Sequence, residues 1–319
     1  MTTTTIRTVI QARDDQTPDI AVLELAPVQE GTLPPFSAGA HVDVRITDDI
    51  TRQYSLCGDP ASDSGVYRLG ILKDPDSRGG SVAVHKLFQP GVEVAISEPR
   101  NQFPLEPAAA HTVLFGGGIG ITPMIAMAYA LRRDGQSFEL HYSVRSTQSA
   151  AFLDELAREF PEQFSLHPDD GDAETRLSPE QVVKAPPDNT HVYVCGPEGY
   201  MNWVIESAQA AGLAEAQIHR EYFNADVDQS GGSFEVVAQA SGKTVRVAEG
   251  QSIADALKEA GIYVEVSCEQ GVCGTCITEV IEGTPDHRDH FLSEEEKEDN
   301  EEMAVCCSRA KSDRLVLDI

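Results

Sequence analysis

Three cysteines share one short loop, Cys268-Glu269-Gln270-Gly271-Val272-Cys273-Gly274-Thr275-Cys276, and Cys306 follows after 29 intervening residues. The C-x4-C-x2-C…C spacing is that of a plant-type [2Fe–2S] loop. Each iron takes two thiolates, and three sulfurs reach one cluster from a tight loop only where small residues let the backbone curl. Ser267, Gly271, Gly274 and Thr275 are those residues. The rival is a zinc knuckle or a set of buried thiols. Zinc sites usually come as two C-x2-C pairs or as mixtures of Cys and His, and this loop has neither form.

The rest of the chain must be compatible with such a loop. With 319 residues, two or three domains are expected. Of seven cysteines, four have a ligand role, so a reducing, cytoplasmic compartment is expected rather than a disulfide framework. No apolar run approaches the ~20 residues of a membrane span, and Met1-Thr2-Thr3-Thr4-Thr5-Ile6-Arg7 has no signal-peptide core. The net charge of −28 excludes nucleic acid as an expected partner, because phosphate backbones call for a basic face. The densest acidic run, residues 294–302, reads as a solvated helix or as a dock for a basic partner.

Residues 6–99 read as short antiparallel strands of a small barrel, interrupted by one helix over 81–88. Two segments there carry chemistry. Arg52-Gln53-Tyr54-Ser55 places a cation, an aromatic ring and a hydroxyl on one strand. Ser77-Arg78-Gly79-Gly80-Ser81 opens the helix, where free N–H groups and Arg78 suit an anion. Each alone reads more often as plain strand and as plain turn. Together, ahead of a nucleotide-type fold, they point to a flavin phosphate site.

Strands and helices alternate over residues 109–223, which implies a parallel sheet with its ligand at the strand C-termini. The first strand runs into Gly116-Gly117-Gly118-Ile119-Gly120-Ile121-Thr122-Pro123. Here Thr122 suits a helix N-cap and Pro123 the first helical position. This is not the Gly-x-Gly-x-x-Gly fingerprint, and alone it is equally a tight turn. Paired with Cys195-Gly196-Pro197 after a later strand, it becomes a cradle for nicotinamide and pyrophosphate; Cys195 also suits a small buried position. Residues 224–233 read as a polar Gly/Ser linker. Beyond it come a hairpin turning at Ser241-Gly242, a helix capped by Ser252, the cysteine loop and a last strand.

In this order the motifs resemble the phthalate dioxygenase reductase family over essentially the whole chain. The resemblance implies a multidomain α+β and α/β protein. Residues 1–108 would form an FMN-binding antiparallel β-barrel, 109–226 a parallel α/β nicotinamide-binding domain, and 233–319 a β-grasp [2Fe–2S] ferredoxin domain. Arg52 and the Gly79, Gly80 and Ser81 amides, with Arg78 adding charge, would hold the FMN phosphate. Tyr54 would contact the ribityl and ring, and Ser55 would bond near N5. Gly117, Gly118, Gly120, Thr122, Pro123, Cys195, Gly196 and Pro197 would line the nicotinamide site, and Phe223 would lie close to the flavin. Cys268, Cys273, Cys276 and Cys306 would bind the cluster. Cys307 is adjacent and within reach, and the family interval selects Cys306. Ser143 and Arg145-Ser146 would suit a 2′-phosphate, whereas the family resembles NADH users, so NADH is expected. NADH gives two electrons as a hydride, the cluster takes one, and a flavin handles both. The expected order is NADH, FMN, cluster, and then a Rieske-type oxygenase, with a cytochrome P450 or a non-catalytic redox sensor as alternatives.

Overall fold

The computed structural model describes residues 5–29, 31–75, 77, 79–223 and 227–319. The chain divides into two compact units, Met1–Glu221 and Tyr222–Ile319. No helix among the described residues is long and apolar enough to cross a membrane.

The first unit holds two sheets. The N-terminal one is antiparallel, in the order Thr51–Ser55, Ala40–Arg45, Glu93–Ser97, Thr5–Asp15, Ile20–Pro27, Tyr67–Leu72, with Arg100–Asn101 added beside Ala40–Arg45. An isolated bridge between Leu56 and Leu69 joins its two outer strands, so the sheet curls into a barrel. Alternation puts Leu23, Leu25, Val42, Val44, Leu69, Ile71 and Ile96 inside. The helix Gly80–Leu87 adds Val84, followed by Phe88, to the same core. It begins one residue earlier than its sequence pattern predicts.

The second sheet is wholly parallel, ordered Phe164–Pro168, Ser137–Val144, His111–Gly117, Thr190–Cys195, Ile218–Glu221. Helices Ile121–Arg133 and Glu198–Ala210 follow its first and fourth strands in chain order. Those strands are neighbours in the sheet, and the chain leaves them toward opposite edges. In open parallel sheets a ligand sits at the C-terminal ends of such a pair. Both glycine-bearing loops, after Gly116 and after Cys195, are at that point.

The second unit is a β-grasp. A hairpin of Phe234–Ala238 and Lys243–Val247 takes Arg314–Leu317 in parallel beside Phe234–Ala238. Ile277–Glu282 and Glu302–Ala304 extend the sheet. Ser252 caps the helix Ile253–Glu259, accepting the Asp255 N–H at 3.0 Å. Ile253, Ala256 and Leu257 of that helix join the core under the hairpin. The acidic run forms the exposed helix Glu294–Asp299, closed by a Ser293/Glu296 capping box.

The Gly/Ser linker differs from its sequence reading. Residues 224–226 lie outside the described residues, but 228–232 are fastened to the second unit. Arg288 Nη1 donates to Asp228 O. Buried Arg309 donates to the carbonyls of Gly232 at 2.9 Å, Ala248 at 3.2 Å and Gln251 at 2.7 Å, and stacks on Phe234. A guanidinium with five donors gathers carbonyls from two segments, and this satisfies backbone groups that composition alone would leave to water.

Candidate functional site: three redox stations

The barrel station is built where Thr51–Ser55 pairs with Ala40–Arg45, setting Arg52 opposite Val44, Tyr54 opposite Val42 and Ser55 opposite His41. The Arg52 side chain crosses Gly80: a Cβ there would stand 2.8 Å from Arg52 Cγ. Gly79 has φ 82°, a left-handed conformation that bulkier residues rarely adopt, and no side chain caps the helix that it opens. Arg52 and an uncapped helix N-terminus therefore meet, a donor set suited to a phosphate. The Ser81 hydroxyl is already committed, accepting from Asp74 N at 3.1 Å and lying 3.0 Å from Ser77 Oγ, so Ser81 offers its amide. Arg78 lies outside the described residues. Burial holds the Tyr54 phenol well above its usual range, so it stays neutral.

At the sheet station the strand His111–Gly117 enters a 3-10 turn, Gly118–Gly120, and then the helix Ile121–Arg133. The helix N-cap is Gly120, not Thr122. Thr122 Oγ1 donates to Ile119 O at 2.9 Å, its methyl packs on Gly70 of the barrel, and Pro123 is buried. A Cβ on Gly120 would come within 2.3 Å of Cys195 O, backbone against backbone. The two loops of the switch point thus touch directly. Gly120→Ala is expected to cost about 3 kcal/mol or more in urea unfolding, since neither backbone can withdraw without moving its strand. The Tyr200 ring lies over Gly117 and Gly196, and Ser143 Oγ donates to its hydroxyl at 3.5 Å.

Cys195 is fully buried and sits in register with Gly116 and Glu221. Burial, then the Glu221 carboxylate, pushes its thiol up, so it stays protonated. The residue that the sequence reading missed is Glu221. Its enclosed carboxyl is pushed up to about 8 by burial, opposed by the Ser55 hydroxyl, which donates to Oε2 at 3.3 Å. The only signal was a carboxylate at the C-terminal end of a parallel strand. Phe223 is half-buried and belongs to the second unit.

In the second unit Cys268, Cys273, Cys276 and Cys306 are all buried. The Cys268 thiol is held well below its usual range by hydrogen bonds from Cys273 and Cys306, and Cys306 also bonds Cys276. Cys306 also meets Cys307, so it touches three of the other sulfurs, while Cys273 joins the set through Cys268. Among the described residues no three Cys, His, Asp or Glu side chains gather as they would about a single ion. Cys307 Sγ also meets Cys306, but it lies 3.7 Å from Ala304 O and fills the space a side chain on Gly271 would need. Gln270 N donates to Cys268 Sγ at 3.3 Å, the kind of bond that stabilises charge on a ligating sulfur. Buried Asp289 braces the loop's neighbour, accepting from Leu292 N at 2.8 Å and Ser308 Oγ at 3.3 Å, and His290 N donates to Gly271 O.

An anion cradle on a barrel, a dinucleotide crevice at a switch point and a four-thiol β-grasp loop define an electron-transferring oxidoreductase. The family described as "2Fe-2S iron-sulfur cluster binding domain" matches residues 236–311, and "Oxidoreductase NAD-binding domain" matches 114–206. The vanillate O-demethylase oxidoreductase of Pseudomonas sp. strain HR199 is 47% identical over 317 residues, covering 98% of this chain and 100% of that one. The crystal structure of phthalate dioxygenase reductase, described as modular for electron transfer from pyridine nucleotides to [2Fe–2S], matches with TM-score 0.77 and 36% identity, covering 99% of this chain and 98% of that one. An intact type IV self-sufficient cytochrome P450 monooxygenase matches with TM-score 0.85 and 37% identity over 99% of this chain and 41% of its own. The chain belongs to the phthalate dioxygenase reductase family. It is an NADH-dependent flavin and iron–sulfur oxidoreductase, the electron-transfer reductase component of a multicomponent oxygenase, and its cofactors are FMN, NADH and a [2Fe–2S] cluster.

Proposed function

We propose that Arg52 and the amides of Gly79, Gly80 and Ser81 hold the FMN phosphate, and that Tyr54 and Ser55 face the flavin itself. In the same reading Gly117, Gly118, Gly120, Cys195, Gly196 and Pro197 line the nicotinamide crevice, and Cys268, Cys273, Cys276 and Cys306 hold the cluster. When bound, FMN takes the hydride of NADH and hands on its electrons one at a time, the conversion that a one-electron cluster requires. The protein's part is placement and charge. Arg52 would offset the phosphate, the buried Cys195 thiol stays neutral at the crevice, and Ser55 with Glu221 holds a proton where the barrel strand meets the sheet edge. The observation that carries this reading is the Ser55–Glu221 bond, which sets the end of the flavin-binding strand against the ligand-binding edge of the parallel sheet.

The partner proposed is a Rieske-type terminal oxygenase, in keeping with the vanillate O-demethylase relative. The match to a self-sufficient P450 favours a cytochrome P450 as the second reading. NADH as donor and seven free thiols suit a reducing compartment, the cytoplasm. Anaerobic NADH titration is expected to bleach the flavin bands and then the cluster bands. Reoxidation by a purified Rieske oxygenase, and not by a P450, decides the partner. Arg52→Ala is expected to weaken FMN binding by about 10- to 100-fold, the loss of a charge-assisted bond worth about 1.5–3 kcal/mol, measured by flavin release on gel filtration and reconstitution. Full FMN retention in that variant would remove Arg52 from the phosphate site.

A further inference from the structure

We infer that a clasp built from Gln16, Arg68, Tyr129, Phe152 and Glu155 is the positioning device for hydride transfer. It fixes the barrel against the parallel sheet, and hence donor against acceptor. The inference rests on the placement of FMN and NADH proposed above.

Two cofactors bound to different sheets react only as well as the sheets are registered. Arg68, on the barrel strand Tyr67–Leu72, makes a two-pronged bond to Glu155 of the helix Leu153–Glu159, at 3.1 and 2.6 Å. Tyr129 of the helix Ile121–Arg133 donates to the same carboxylate at 2.8 Å, and the guanidinium carbon lies 5.4 Å from the centre of the Phe152 ring. A forked pair fixes direction as well as distance. It is a poor device for stability alone, because both ends are largely withdrawn from water and Arg68 Nε is buried with no partner among the described residues.

Phe152 is the second observation. It is buried at 2% exposure and holds φ 62°, a left-handed conformation unfavourable for a bulky residue. Such strain persists only where the surroundings enforce it. Here they do: Phe152 N donates to Gln16 Oε1 in the barrel at 2.6 Å, and the Phe152 ring packs where a side chain on Gly70 would stand. Barrel residues therefore clamp the strained residue from two sides, its backbone through Gln16 and its ring through Gly70 and Arg68. The helix it opens follows the second strand of the parallel sheet, while Tyr129 belongs to the helix that starts from the glycine loop. The helix from the glycine loop and the helix that Phe152 opens are thereby both tied to the barrel strand Tyr67–Leu72.

Misplacement of reacting groups by about 1 Å costs on the order of 100-fold, so a loosened clasp lowers the rate with NADH already bound. The test is stopped-flow reduction of the flavin by NADH in the full-length holoenzyme. Glu155→Gln is expected to lower the saturating rate about tenfold while half-saturating NADH stays within about twofold and flavin content is unchanged. Gln16→Leu, which leaves the ion pair intact and frees Phe152 N, is expected to slow reduction about two- to fivefold with the same split; it serves if Glu155→Gln does not fold. A wild-type saturating rate in either soluble variant, or a loss carried wholly by half-saturation, overturns the inference. If NADH does not reduce the flavin of the unsubstituted protein, the cofactor placement fails instead.

Discussion

Cys273→Ala is expected to give a protein that still passes electrons from NADH to ferricyanide and no longer reduces cytochrome c or an oxygenase. Cys273 is bonded to Cys268 and donates to Thr275 Oγ1 at 3.3 Å. Removing it leaves one iron with a single protein thiolate. Loss of groups merely supporting a metal ligand costs about 10- to 100-fold, so loss of a ligand is expected to exceed about 100-fold in cluster-dependent reduction. Ferricyanide accepts electrons from the flavin directly and should stay within about twofold of wild type, because the substitution lies in the second compact unit and the flavin station in the first. Visible spectra before and after NADH read both outcomes in one sample. Cys306→Ser is expected to behave as Cys273→Ala does, and Cys307→Ala to keep its cluster bands, since Cys307 Sγ faces Ala304 O. Cytochrome c reduction at the wild-type rate in Cys273→Ala would place the electron exit elsewhere.

What could be read in the sequence was whatever depended on small residues at short spacing. The cysteine loop, the glycine loop and Cys195-Gly196-Pro197 advertise themselves because close backbone approach admits few alternatives, and the Gly120–Cys195 contact is such an approach. Thr122 misled because its propensity for an N-cap is real but local. The 3-10 turn over Gly118–Gly120 leads directly into the helix at Ile121, so the cap falls two residues earlier and the threonine turns to pack on Gly70. The Ser81 hydroxyl is held by Asp74 and Ser77, a local competition that no motif reports, and the amide expected to serve the phosphate is not affected by it. Composition made a linker of residues 224–233, and Arg288 and Arg309, some 60 to 80 residues downstream, fasten its part from 228 to 232. Longest in range is Ser55 with Glu221, separated by 166 residues. Glu221 ends a four-residue edge strand, Ile218–Glu221, too short to carry a period, so its carboxyl became significant only once both sheets were in place.

That carboxyl sets a pH dependence that Glu221→Gln should abolish. The folded protein holds the Glu221 proton up to about pH 8, whereas an unfolded chain releases it near the ordinary carboxyl value of 4.5. Between those two values the folded state binds one more proton, so stability is full at the acidic end and falls as pH rises. The slope is about 1.4 kcal/mol per pH unit at most. Glu221 as a residue keeps part of its surface in solvent although its carboxyl is enclosed, so the whole window is expected to be worth a few kcal/mol rather than the full product. Glutamine keeps the neutral shape and the carbonyl that accepts from Ser55, without a proton to lose. The urea midpoint of the wild-type protein is therefore expected to decline from pH 5 to 8.5 more steeply than that of Glu221→Gln, with the variant the more stable of the two at pH 8.5. The same proton lies against Ser55, so flavin reduction by NADH in the wild type is expected to change across pH 7 to 9 and to level in the variant. Parallel urea profiles for the two proteins would mean that Glu221 is ionised throughout, and that the seam between barrel and sheet holds a solvated charge instead of a proton.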